Sequence, residues 1–173
     1  MRCDLDYRSA PARIAGLLKY KKHEWVVFGF IRDHRVVQLW WNKGPDGTCV
    51  RSFLRDHQLR GVIHIIRPDC IAVFHNHPNR NPSVYRTNVP SKGDLRSAEF
   101  NDKEFSQIGV TLLEFICERG IPHMYYASFR DDVAPIQPII EEIRKMNGTG
   151  ILKNYLLRKE LKRKTRAERI APL

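Results

Sequence analysis

Cys70-Ile71-Ala72-Val73-Phe74-His75-Asn76-His77-Pro78 joins an unbroken apolar run to a polar tetrad that ends in proline. An apolar run of this length, bounded by a turn former, predicts a buried strand over residues 70–75. Side chains alternate across a strand, so histidines two apart project to the same side where strand gives way to loop. With seven histidines in 173 residues, such a pair arises by chance roughly 0.3 times. Its company gives it weight. Downstream, Pro90-Ser91-Lys92-Gly93-Asp94 reads as a helix N-cap with a carboxylate one turn further on.

Two imidazoles on one side of a strand end can share a metal ion. Zinc in catalytic sites usually takes three protein ligands and leaves a fourth position to water, and Asp94 is well placed to join His75 and His77. The plainer alternative is a pair of strand-end histidines bonded to backbone.

The order of these parts resembles the JAB/MPN (JAMM) metalloprotease superfamily, and within it the RadC-like branch. That family runs from an upstream Glu to H-x-H-P and then P-S-x-x-D, and RadC-like members carry HNHP itself. Here the parts are Glu24, His75-Asn76-His77-Pro78 and Pro90-Ser91 to Asp94; 110–116 and 123–130 are similar to the family's last strands. The resemblance covers about residues 20–132 and is specific at 70–94. It implies an α/β domain, a mixed, curved sheet flanked by helices in a cytidine-deaminase-like architecture. It also implies zinc held by His75, His77 and Asp94, with Glu24 as general base and Ser91 as donor to a developing oxyanion.

The implied reaction is amide hydrolysis by a metal-activated water, on a peptide or on the isopeptide bond of a protein. Glu24 is the only Glu upstream of the histidines; its plainer reading is a charged end to a surface strand beside Lys21 and Lys22. One departure matters. Thirteen residues separate His77 from Ser91, more than the family usually has, which implies a longer polar and basic loop that either overhangs the site or lies solvated.

Composition sets the outer bounds. A chain of 173 residues with 42% hydrophobic content suits one domain, over 1–147, with a short appendage over 148–173. No stretch approaches the apolar length of a membrane span, and the N-terminus lacks the apolar core of a signal peptide, so a soluble cytoplasmic protein without membrane contact is expected. Cys3, Cys49, Cys70 and Cys117 are scattered without metal-binding spacing and read as reduced thiols.

Along the chain, Ser9 to Lys22 predicts an opening helix with Ser9 as its cap. Trp25–Ile31 and Val36–Trp41 predict a hairpin, and Gly44-Pro45-Asp46-Gly47 a turn. Val50 to Ile66 predicts a helix with Phe53, Leu54, Leu59, Ile63 and Ile66 inward. Asp94 onward predicts another, with Phe100, Phe105 and Ile108 on one side, then a strand over Val110–Ile116. Of the other histidines, His23, His34 and His57 are expected at the surface and His64 in the core or at its boundary; His123 alone is a candidate to approach the site, since the resemblance implies a histidine on the equivalent strand.

Residues 151–173 carry eight Lys or Arg against two Glu, a net of +6 out of the chain's +11. Leu152, Leu156, Leu157 and Leu161 give this tail a narrow apolar stripe, so it predicts a basic amphipathic helix. It would bind nucleic-acid phosphates or an acidic partner, or pack one stripe on the domain. Three functions of different class remain open here: a JAB-type hydrolase, a non-catalytic interaction module of the same fold, and a RadC-like DNA-associated accessory protein.

Overall fold

The computed structural model describes residues 2–45, 57–78 and 88–128. Nine elements follow in order: β1 (Arg2–Asp6), α1 (Ala10–Leu18), β2 (Trp25–Arg32), β3 (Arg35–Lys43), α2 (His57–Ile66), β4 (Cys70–His75), α3 (Lys92–Ser106), β5 (Thr111–Glu118) and β6 (Ile121–Ala127). The strands form one mixed sheet in the order β1-β3-β2-β4-β5-β6. Only β4 and β5 are parallel, and α3 lies in the crossover between them.

The β2–β3 hairpin turns on Asp33 and His34, both at positive φ (51° and 62°). Two such residues in succession make the primed turn whose twist matches the flanking strands. Strand β4 is buried along its whole length because β2 and β5 pair with its two edges and helices cover both faces. On one face Cys70, Ala72 and Phe74 pack with α1 residues Ile14, Ala15 and Leu18. On the other, Ile71 and Val73 pack with Leu59 of α2 and Ala98 and Phe105 of α3. That alternation is what an apolar run without polar alternation requires: a strand buried on both sides.

Several expectations need correction. Residues 2–6 form a strand that the sequence pattern did not predict, and among the described residues β1 pairs only with β3. Helix α1 ends at Leu18 rather than Lys22, and Ser9 makes no side-chain cap; its hydroxyl donates to the Asp6 carbonyl instead. Helix α3 begins at Lys92, not Asp94. Phe105 is buried on it, but Phe100 and Ile108 are about half exposed, so the three do not share one inward face. His64 is exposed and His23 half-buried, the reverse of what their neighbours in the sequence implied. The predicted start of a helix at Val50, its Phe53 and Leu54, Asp46 and Gly47 of the expected turn, residues 79–87 of the loop after Pro78, Cys49 and the basic tail lie outside the described residues. Cys3, Cys70 and Cys117 are free thiols. Among the described residues no helix is long and apolar enough to cross a membrane.

Candidate metal centre

The site stands at the carboxyl end of β4. His75 is its last residue, in register with Val26 of β2 and Ile116 of β5. It continues the parity of Ile71 and Val73 and therefore faces α3. Glu24 immediately precedes β2, whose even positions Val26, Phe28 and Phe30 face the same side, and it is itself buried. Asp94 enters from the first turn of α3. There a full capping box operates: the Asp94 N–H donates to Ser91 Oγ at 3.1 Å, and the Ser91 N–H donates to Asp94 Oδ2 at 2.6 Å.

These elements bring four side chains together. His75 Nε2 and His77 Nε2 lie 3.1 Å apart. Asp94 Oδ1 is 3.4 Å from the first and Asp94 Oδ2 is 3.4 Å from the second. Glu24, His75 and His77 each offer a donor atom within 4.8 Å of the others, a group that can hold a metal ion. Glu24, expected to serve only in proton transfer, thus also stands within reach of a shared ion.

The spacing fits a small cation. Ligand atoms about 2.0–2.1 Å from a tetrahedral centre lie roughly 3.3 Å from one another, close to the 3.1 and 3.4 Å separations here. The proton count agrees with this. Two imidazole nitrogens in contact can hydrogen-bond only if one carries hydrogen, and both also face the same carboxylate; a cation satisfies all of these lone pairs at once.

Electrostatics prepares the donors. Burial pushes the His75 imidazolium down, against the opposing pull of Asp94 and with help from His77, so this ring is neutral near pH 7. Burial would raise the Asp94 carboxyl, but hydrogen bonds with His75 and His77, joined by that from Ser91, hold it well below the usual carboxylate range. A neutral imidazole and an ionised carboxylate are the forms that bind metal.

Asn76, between the two histidines and buried, points the other way and fastens the segment that carries Glu24. Its Oδ1 accepts from the Trp25 N–H at 2.8 Å and its Nδ2 donates to the His23 carbonyl at 3.1 Å. The residues on both sides of Glu24 are therefore held by the residue between the two imidazoles. Behind the site the Tyr125 ring meets His75 edge-on at 5.7 Å. The Tyr125 hydroxyl donates to Glu114 Oε2, and Asn101 Nδ2 donates to Glu114 Oε1 at 2.9 Å. Burial pushes the Glu114 carboxyl up to about 7, against these two hydrogen bonds.

The sequence reading missed Asn76 and Glu114. Glu114 had a signal: a lone acid within Leu112-Leu113-Glu114-Phe115-Ile116 marks a buried charge that needs partners. His123 is half-buried on β6, with its imidazolium pushed down by burial; among the described residues it belongs to no metal-capable group. Ser91 is exposed at the start of α3. Its oxygen accepts the capping bond, which leaves the hydroxyl hydrogen able to donate elsewhere. No protein-family model matches the chain, and no curated protein matches it.

Proposed function

We propose that the protein is a zinc-dependent amide hydrolase of JAB/MPN type, acting on a peptide or an isopeptide bond. The observation that carries this reading is the convergence of the His75 and His77 Nε2 atoms with the Asp94 carboxylate, beside a buried Glu24. His75, His77 and Asp94 would hold the ion, in keeping with the imidazole and carboxylate donors zinc favours. Zinc, when bound, supplies a Lewis acid that makes water a nucleophile near neutral pH and polarises a carbonyl.

The chain's own residues would do the rest. A Glu24 carboxylate oxygen takes the proton of the attacking water and later returns it to the leaving amine, with its backbone held by Asn76. Ser91 Oγ donates its hydrogen to the oxyanion as it forms. The six-stranded mixed sheet with helices on both faces suits a JAB-like architecture, and the order Glu24, HNHP, Ser91 to Asp94 supports that assignment.

Elemental analysis of the purified chain tests the reading. About one zinc per chain is expected, lost in the double variant His75→Ala/His77→Ala and kept in Glu24→Gln, which should abolish hydrolysis. No zinc in the wild-type chain after supplementation would end the hydrolase reading.

A further inference from the structure

A groove of about 500 Å³ opens beside the metal-capable group. Its walls are the segment after α1, the β5–β6 turn and Asn76-His77-Pro78. His77 belongs to both the groove and the metal-capable group, so a ligand lying in the groove reaches the imidazole edge. Pockets of roughly 300–1,000 Å³ accommodate ligands of drug size, which corresponds to a short peptide segment.

The charge of the groove is mainly positive. Lys19, Lys21, Lys22 and Arg119 line it and are exposed, against Glu118 as the only acid among the described residues that line it. Among the described residues no carboxylate forms an ion pair with any of these four cations. The lysines follow the C-terminal end of α1, where cations are favoured anyway. That does not account for Arg119, which comes from a different element and arrives at the same groove.

Leu18, Pro78 and Cys117 supply an apolar floor. The nearby rings already carry cations: Lys19 Nζ lies 5.0 Å from the Tyr20 centroid and Lys21 Nζ lies 5.2 Å from that of Trp25. A nucleic-acid strand would want open aromatic faces on which to stack its bases. An extended peptide with acidic side chains needs only the floor and the cations.

We infer that this groove receives an extended peptide segment bearing Asp or Glu residues and lays its backbone beside His77. The inference deepens the hydrolase reading and rests on it. Fluorescence anisotropy on the zinc-supplemented full-length chain tests it, with a labelled Glu-rich peptide, the same peptide with Gln for Glu, and a single-stranded oligonucleotide of equal length.

The Glu-rich peptide should bind about tenfold more tightly than its Gln counterpart, as a few exposed ion pairs would give. The preference should shrink with added salt and vanish in Lys19→Glu/Lys22→Glu/Arg119→Glu. Zinc content, measured on the same samples, separates the two readings. A chain that holds zinc but shows no preference for Glu overturns the groove assignment alone, whereas a chain without zinc overturns the hydrolase reading. A preference that survives the triple substitution, or tighter binding of the oligonucleotide lost with those substitutions, also overturns the acidic-peptide assignment.

Discussion

The two faces of the central sheet are built from the same strands and differ in what they bury. Against α1 lies a continuous apolar cluster, from Ile14 and Leu18 through Phe74 to Phe115 and Met124, with the buried Asn76 at its edge. Against α2 and α3 the apolar residues share the space with Glu24, His75, Asn101 and Glu114. A buried charge or amide costs stability unless it is paired, and here the groups pair with one another: Asn101 and Tyr125 with Glu114, Asp94 with both histidines. One face holds the fold together. The other spends some of that stability on a site.

The contrast can be broken in order of effect. On the α1 face Phe115 is fully buried and stacks on Phe74 at 4.7 Å. Phe115→Ala should cost about 3–5 kcal/mol in urea unfolding, and zinc stoichiometry in the protein that remains folded should not change. A loss of metal would show that the two faces are not separable.

On the other face, the folded state keeps the Glu114 proton up to about pH 7, whereas an unburied glutamate loses it near 4.5. The folded state thus binds more protons within that window. Its contribution to stability is full below about 4.5, falls as pH rises through the window and is flat above about 7. The difference in unfolding free energy between wild type and Glu114→Gln should therefore drift against wild type by up to about 3 kcal/mol across the window. A pH-independent difference would mean that the carboxyl titrates normally.

At the boundary, Asn76→Ala leaves the Trp25 N–H and the His23 carbonyl without their side-chain partner. It should cost about 1–3 kcal/mol in the same unfolding experiment. A cost equal to that of Phe115→Ala would make Asn76 a core residue rather than a fastening.

The parts legible in the sequence were those decided by near neighbours. The hairpin and the Ser91-to-Asp94 cap rest on contacts within a few residues, and β4 is read from its own continuous apolar run; each formed. Strand β1 alternates half-buried and exposed positions, with Arg2, Asp4 and Asp6 outward, and an edge strand of charged residues carries little apolar signal. It exists because β3 offers a free edge and Arg35 meets Asp4. Phe100 on α3 looked inward by composition, but the positions of the helix that are buried are Ala98, Asn101 and Phe105, and Phe100 is half exposed. The bonds of Asn76 cross more than fifty residues of chain, a distance at which periodicity gives no information.

Asp94 has two duties at once. Its Oδ2 takes the Ser91 N–H that opens α3 and also faces His77. Any cation drawn to the imidazoles therefore competes for, and orients, the same carboxylate that nucleates the first turn of the helix. Ion capture and helix initiation would then be coupled through one carboxylate, because the oxygen that caps α3 is the one a cation at His77 would draw on.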